Sequence, residues 1–266
     1  MKKRQSNYGT RQWAPNYVNC CTGCSHDCLY CYAKAREVHR FKRMTKADWP
    51  LEKIRMHEVK KKRQKMVGRI MLPTTHDITP NNLDACMIVL EKLLRAGNDV
   101  LIVSKPHLDC IRAICDAFGH YRDLFEIDEY GCRQYRMLFR FSIGACDDAI
   151  LSYWEPGAPL YSERKASLKY SYERGFQTSV SAEPMLDSPH IDTLISDLSP
   201  FVTDSIWIGK MNHLGRFKNV SDQHLRQEIN RIELGQTDIA IKAIYRRYKN
   251  NPMIKWKDSI QKVVGI

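Results

Sequence analysis

The sequence predicts an α/β fold of parallel strands joined by helices, followed by a small helical extension at the C-terminal end. Between residues 17 and 208, short apolar runs rich in β-branched and aromatic residues alternate with longer segments of helical periodicity. The chain has 266 residues, of which 43% are hydrophobic, so it is long enough to bury a sizeable core. This alternation is typical of βαβ units and allows an open sheet, a full barrel or a partial barrel.

Six strands are predicted, at residues 17–20, 67–72, 99–104, 136–143, 176–182 and 204–208. Helices are predicted between them at residues 81–96, 108–118, 147–153, 162–174 and 191–198. Two further helical segments, 221–229 and 239–248, form the predicted extension. The predicted division is therefore a strand-and-helix domain over residues 1–209 and a basic, mainly helical extension over residues 210–266.

Charge is distributed unevenly along the chain, whose formal net charge is +12. Residues 1–70 carry 18 Lys and Arg against 5 Asp and Glu, and residues 210–266 carry 12 against 5. The middle, residues 71–209, carries 12 against 20. Basic ends around an acidic middle indicate a polyanionic partner held by the ends, although a solvated charged surface gives the same pattern.

The sequence also indicates the cellular compartment in which the protein is expected. No run approaches the roughly 18–20 consecutive apolar residues of a membrane helix, and residues 1–6 lack the apolar segment of a secretory signal. We therefore expect a soluble, cytoplasmic protein without a membrane partner. In that setting the ten cysteines are more readily explained as thiols and metal ligands than as a disulfide framework.

Three cysteines follow the first predicted strand with the spacing C-x3-C-x2-C, at Cys24, Cys28 and Cys31. Soft thiolate ligands on one tight loop suit a 4Fe–4S cluster, and three of them leave the fourth iron open to another ligand. Zinc is the alternative, because Cys21 and Cys24 form a second C-x2-C pair. Zinc ribbons usually separate their pairs by about 15–20 residues, whereas three separate them here, which favours iron–sulfur.

The other cysteines have simpler predicted roles. Cys20 and Cys21 are predicted to be thiols beside the cluster rather than ligands. The remaining five are predicted to be small core residues: Cys86, Cys110, Cys115, Cys132 and Cys146.

Residues 23–33, GCSHDCLYCYA, resemble the cluster loop of radical S-adenosylmethionine (radical SAM) enzymes. The resemblance is greatest to the spore photoproduct lyase-like group, also called DNA repair photolyase-like, and to related phage radical SAM proteins. Further similar segments follow in the same order: TTHDITP at 74–80, IVSKPH at 102–107, FRFSI at 139–143, EPGAP at 155–159 and Glu163-Arg164. The resemblance as a whole runs from about residue 19 to about residue 187.

This resemblance implies a partial parallel (β/α)6 barrel of radical SAM type, with its site at the C-terminal ends of the strands. It implies two cofactors, a 4Fe–4S cluster and S-adenosylmethionine, and reductive cleavage of the latter to a 5′-deoxyadenosyl radical. The metal ligands are then Cys24, Cys28 and Cys31. A flavodoxin- or ferredoxin-type protein is the implied reductant.

The resemblance also implies a set of cofactor-binding residues: Tyr30, Thr75, Asp77, Lys105, Ser142 and Glu183. Tyr30 would pack on the adenine, and the charge of Lys105 would complement the carboxylate of S-adenosylmethionine. Ser142 would bond the carboxylate or the ribose. Tyr32 matches a tyrosine linked to radical relay and is the expected catalytic residue. For Lys105 the alternative is an exposed loop lysine, and for Ser142 it is a strand serine whose hydroxyl bonds the backbone. For Tyr32 the alternative is a ring that packs under the loop.

One position departs from the spore photoproduct lyase pattern. That enzyme has a hydrogen-donating cysteine in the loop after the second strand, where this chain has Thr74. A threonine O–H bond is too strong to yield hydrogen readily, so repair of thymine dimers is not expected. The expected substrate is a nucleic acid or nucleotide. Alternatives are a peptide or small metabolite, or a zinc-containing nucleic-acid-binding protein without enzymatic activity.

Overall fold

The computed structural model describes residues 9–128, 131–217 and 221–266, so the opening segment 1–6 lies outside the described residues. Seven parallel strands form one sheet, in which the order of neighbours follows the order along the chain. They are β1 Asn16–Tyr17, β2 Ile70–Leu72, β3 Val100–Ser104, β4 Met137–Ser142, β5 Gln177–Ala182, β6 Ile206–Ile208 and β7 Ile254–Trp256. The predicted α/β class is confirmed.

The helices lie between these strands and after the last. They are α1 Tyr32–Lys34, continued by a π-helix Ala35–Arg40, α2 Met56–Lys60, α3 Leu83–Arg95, α4 Leu108–Phe118, α5 Asp148–Trp154, α6 Tyr161–Glu173, α7 Ile191–Leu198, α8 Gln223–Gly235, α9 Asp238–Tyr248 and α10 Asp258–Val264. Two antiparallel ribbons pair Cys21–Thr22 with Lys53–Ile54 and Phe125–Ile127 with Arg133–Tyr135. None of the described helices is long and apolar enough to cross a membrane.

Side-chain alternation along β4 shows which face of the sheet the helices cover. Phe139 and Phe141 belong to the large core that includes residues of the helices, whereas Leu138 packs in a separate core with Trp13. Right-handed crossovers between strands in chain order place the helices on one face and let the sheet curl around the other. The described sheet begins at β1 and ends at β7, so it is an open, partial-barrel arrangement.

The segment just before β1 links the two edges of this open sheet. Lys257, which follows β7, donates from Nζ to the carbonyl of Gly9 at 2.6 Å, and its Nζ lies 4.1 Å from the ring centroid of Trp13. The backbone N–H of Asp258 donates to Oε1 of Gln12 at 3.3 Å. These contacts join residues at opposite ends of the chain across the inner face of the sheet.

The structure differs from the sequence-based expectation in strand number. The segment 210–266, predicted to be mainly helical, also contributes β7 and α10, so the sheet has seven strands rather than six. Three residues are too short a run for periodicity to reveal a strand. The first strand ends at Tyr17, and Cys21 instead joins an antiparallel ribbon. A domain division after residue 209 remains a prediction.

The edge-to-edge packing can be tested by removing Trp13. Trp13→Ala should lower the free energy of unfolding by about 2–3 kcal/mol, at or below the lower end of the range for a fully buried tryptophan, because the half-buried ring packs on the inner face. Urea denaturation measures this change. Ile239→Ala is the control, since Ile239 is 84% exposed and its loss should change stability by less than about 0.5 kcal/mol. Equal effects of the two substitutions would contradict this role.

Candidate functional site

The loop that carries the three cysteines is held by Glu52. The carboxylate of Glu52 accepts hydrogen bonds from the N–H and Oγ of Ser25, both at 2.9 Å. Its other oxygen accepts from Oγ1 of Thr79 at 2.6 Å and from Nδ2 of Asn82 at 3.0 Å. The half-buried carboxylate of Glu52 thus connects the cysteine loop to the segment that follows β2.

A second contact holds the loop against the turn after α5. The N–H of Leu29 donates to the carbonyl of Trp154 at 2.9 Å, and the N–H of Gly157 donates to the carbonyl of His26 at 3.0 Å. A Cβ atom on Gly157 would lie only 2.0 Å from the carbonyl oxygen of Ser25. The loop can therefore approach this closely only because residue 157 has no side chain.

Cys24 and Cys28 are buried and Cys31 is partly exposed. Burial raises the pKa of all three thiols, that of Cys28 to about 12. After burial, the carboxylate of Asp77 and the other two thiols raise the pKa of Cys24 further, so the three sulfurs are electrostatic neighbours. Metal binding to such thiols must release protons.

The donor chemistry of this loop fits an iron–sulfur cluster, since three soft sulfur atoms lie on one short segment. Across residues 9–128, 131–217 and 221–266, however, no three or more His, Cys, Asp or Glu side chains are already arranged to hold a metal ion. The ligand roles of Cys24, Cys28 and Cys31 therefore remain a prediction.

Asp77 is the buried centre of the site. Its carboxylate accepts from Oγ of Ser104 and from the N–H of Lys105 at 2.9 Å, and it forms an ion pair with Nδ1 of His26 at 3.1 Å. The Nζ of Lys105 lies 3.8 Å away. Burial alone would raise the pKa of Asp77, but these partners, His26 first, hold it below its ordinary value. The carboxylate is therefore ionised.

Three of the predicted cofactor residues come together around Glu155. The hydroxyl of Tyr30 donates to Glu155, and the Nζ of Lys105 lies 5.7 Å from the centroid of the Tyr30 ring. Arg164 forms an ion pair with Glu155 at 2.5 Å and donates to the carbonyl of Ser142 at 3.2 Å. Burial would raise the pKa of Glu155, but the charges of Arg164 and Lys105 keep it below its ordinary value.

The other predicted residues lie around this centre. The backbone N–H of Thr75 donates to Oδ1 of Asn19 at 2.9 Å, and the hydroxyl of Tyr32 donates to the carbonyl of Thr74 at 2.5 Å. Tyr32 remains 48% exposed, so its ring is not simply packed beneath the loop. Their roles in binding or catalysis remain predictions.

Glu183 belongs to a different group of side chains from Asp77. It forms an ion pair with Nζ of Lys257 at 3.2 Å, and Lys257 in turn bonds Gly9. Burial raises the pKa of Glu183 in spite of the lysine charge. The C-terminal segment therefore reaches the strand end at which a cofactor contact is predicted.

Sequence reasoning assigned no role to two histidines of the site. The Nε2 atoms of His26 and His107 lie 2.9 Å apart, and Nδ1 of His107 lies 3.8 Å from Oε1 of Glu163. A line of polar groups thus runs from Asp77 through both histidines to Glu163. All of these residues fall inside the sequence segments singled out above, but nothing in their spacing shows that they meet.

No protein-family model matches the chain, and no curated protein matches its sequence. Among solved structures, it is similar to the crystal structure of Streptococcus suis SuiB bound to S-adenosylmethionine, with 13% identity and a TM-score of 0.47, over 89% of this chain and 45% of that one. A second crystal structure of Streptococcus suis SuiB gives 9% identity and a TM-score of 0.46, over 73% and 40%. The chain thus spans less than half the length of these proteins. Such values are too low to indicate a shared function.

The close approach of the loop to residue 157 yields a test. Gly157→Ala should destabilise the protein by about 1–3 kcal/mol, because a methyl group there overlaps Ser25 and forces the loop away. Urea denaturation measures the stability, and the alkylation rate of the loop thiols should rise. Gly119→Ala is the matched control, since nothing lies within 4 Å of its added Cβ. Equal behaviour of the two variants would show that the loop does not depend on this contact.

Proposed function

We propose that this protein is a radical SAM enzyme. The observation that carries the proposal is the position of the cysteine loop at the C-terminal ends of the parallel strands, beside polar side chains from several strand ends. Asp77 follows β2, Lys105 follows β3 and Ser142 ends β4. Asp77 contacts His26 of the loop, Lys105 lies beside Tyr30, and Ser142 is joined to Tyr30 through Arg164 and Glu155. Sites of parallel barrels lie at this end of the strands.

In this proposal Cys24, Cys28 and Cys31 would hold a 4Fe–4S cluster, and the residues around the loop would bind S-adenosylmethionine beside it. When bound, the cluster supplies the electron that cleaves S-adenosylmethionine to methionine and a 5′-deoxyadenosyl radical. Cys21 lies in the antiparallel ribbon, where its thiol donates to the carbonyl of Thr22 at 3.5 Å, and the proposal leaves it outside the ligand set.

The surrounding residues fall into two groups: those that would contact S-adenosylmethionine, and those that would hold the contacting residues in place. Lys105, a cation beside the loop, is suited to the carboxylate of S-adenosylmethionine. Tyr30 would stack on the adenine, with its hydroxyl fixed by Glu155 and Arg164. The contacts of Asp77 with His26, Ser104 and Lys105 support a positioning role in place of the direct cofactor contact that the resemblance implied.

The substrate that we propose is a nucleic acid or nucleotide. Directly after the cysteine loop, the guanidinium groups of Arg43 and Arg40 lie 4.5 and 5.4 Å from the ring centroid of Phe41, which is 42% exposed. Basic side chains around an exposed aromatic ring are suited to phosphates and unstacked bases. At the other end of the chain, Arg247 is paired with Asp192 at 3.1 Å, a closer contact than the 3.6 Å between Arg43 and Glu37, so the tail is less free to bind phosphate.

The cluster and its reaction are tested together by anaerobic reconstitution. Wild-type protein with iron, sulfide, dithionite and S-adenosylmethionine should show iron–sulfur absorbance and form 5′-deoxyadenosine. Replacing Cys24, Cys28 or Cys31 by Ala should abolish both, because each supplies a ligand. Cys21→Ala is the matched control and should retain both. Zinc bound without iron or acid-labile sulfide, or cluster loss in the control, would contradict the three-ligand proposal.

The substrate class is tested by a salt series. Binding of single-stranded oligonucleotides should weaken with salt at a log–log slope of about −0.7 for each phosphate neutralised. Changing Arg40, Lys42 and Arg43 together to Ala should make this slope shallower by about 2. Changing Arg246, Arg247 and Lys249 of the tail together to Ala should make it shallower by less.

The control variant changes Arg95 and Arg112, exposed residues of the acidic middle, and its slope should equal that of the wild type. If neither DNA nor RNA binds the wild type at low salt, the nucleic-acid proposal fails, and a peptide or small metabolite becomes the better candidate. Formation of 5′-deoxyadenosine is measured separately and does not depend on this result.

A further inference from the structure

Two buried thiols outside the three-cysteine set face each other behind the loop. Cys20 lies four residues before Cys24, and Cys86 lies in the first turn of α3. Their Sγ atoms are 3.5 Å apart, and the two residues are 0% and 1% exposed. The Sγ atom of Cys86 also lies 3.3 Å from Oδ1 of Asn82, which places its side chain between Asn82 and Cys20.

The neighbouring His76 anchors the backbone on which Cys20 lies. Its Nδ1 lies 2.9 Å from the carbonyl of Asp77, which can only accept, so Nδ1 carries the hydrogen. Nε2 then carries a lone pair, and it accepts hydrogen bonds from the backbone N–H groups of Cys20 and Cys21 at 3.2 and 3.3 Å. The Sγ of Cys20 lies 4.0 Å from the same nitrogen. The imidazole therefore fixes the backbone that carries the Cys20 thiol, with its edge beside the sulfur.

The geometry points to a redox-active dithiol, in which Cys20 and Cys86 oxidise to an intramolecular disulfide. Thiolates are the reactive form of cysteine in such chemistry. The hydrogen bond from Cys86 is the largest influence on Cys20 and lowers the pKa of its thiol in spite of burial. Cys20 is thus the nucleophile and Cys86 the resolving thiol.

With hydrogen peroxide as the oxidant, the steps balance as follows. The Cys20 thiolate attacks one peroxide oxygen and the O–O bond breaks. Cys20 becomes a sulfenic acid, and hydroxide departs as the leaving group. Cys86 then attacks that sulfur, an S–S bond forms, and the S–O bond breaks. The proton of Cys86 is taken up in forming water. Overall, two thiols lose two electrons and hydrogen peroxide becomes two molecules of water.

Oxidation would change the entrance to the cysteine loop. The sulfur atoms must close from 3.5 Å to about 2.05 Å, so the Cys20 and Cys86 side chains must turn toward each other in a packed core that also holds the backbone of Cys20. The carbonyl of Cys20 accepts from the N–H of Arg55 at 2.7 Å, and the adjacent Asn19 accepts from the N–H groups of Thr74 and Thr75. The dithiol is therefore coupled to the segment that carries Asp77. The proposal does not depend on the radical SAM assignment.

The test uses the full chain, first reduced and then equilibrated with hydrogen peroxide or with oxidised glutathione. Remaining thiols are blocked with N-ethylmaleimide under denaturing conditions, and linked peptides are identified by tandem mass spectrometry. We expect a Cys20–Cys86 link, loss of two blocked thiols and reversal by dithiothreitol. Circular dichroism of each variant confirms that it is folded, and Cys86→Ala replaces Cys86→Ser if the latter is not.

The cysteine variants decide the assignment. Cys20→Ser and Cys86→Ser should each abolish the link, and the matched control Cys21→Ser should retain it. Absence of the link in wild-type protein after prolonged equilibration would overturn the proposal. So would a link made by Cys21 or by a cysteine of the loop in place of Cys20. Because none of these measurements uses iron or S-adenosylmethionine, failure of the proposed enzymatic function leaves their outcome unchanged.

Discussion

The carboxylate of Asp77 is buried among donors that come from separate parts of the chain, and the arrangement of the site depends on satisfying it. An ionised carboxylate that loses its water costs several kcal/mol unless charges and hydrogen bonds replace that water. His26 brings the cysteine loop to it, and Ser104 and Lys105 bring the end of β3. Loop and sheet are thus fixed relative to each other by one electrostatic requirement rather than by apolar contact alone.

Glu155 imposes a similar requirement on the opposite side of the loop. It is 2% exposed, and its charge is met by Arg164, which is itself fully buried. Removing either partner of such a pair leaves an uncompensated buried charge, which is strongly destabilising. Tyr30 thereby lies between two fixed carboxylates. Its hydroxyl donates to Glu155, and its ring lies beside Lys105, which is paired with Asp77. A rigid aromatic ring in this position suits recognition of a planar ligand.

Much of this arrangement could be predicted from the sequence, and the remainder shows where such reasoning ends. The bounds of α4 and α7 agree with their predicted residues because each carries a regular apolar stripe and packs on the sheet. The strand ends also placed Asp77, Lys105 and Ser142 on one edge. The contact of His26 with His107 joins residues 81 positions apart, and no local pattern encodes it. The pairing of Glu183 with Lys257 depends on β7, a strand too short for its periodicity to be recognised.

The link between the two edges of the sheet bears on how the chain folds during synthesis. The bond from Lys257 to Gly9 joins residues separated by 248 positions, so the segment before β1 cannot make this contact until residue 257 has left the ribosome. Contacts between such distant residues form late, because a large loop must close before they contribute. Until then the inner face around Trp13 is uncovered, and a nascent chain in this state exposes apolar surface that chaperones recognise.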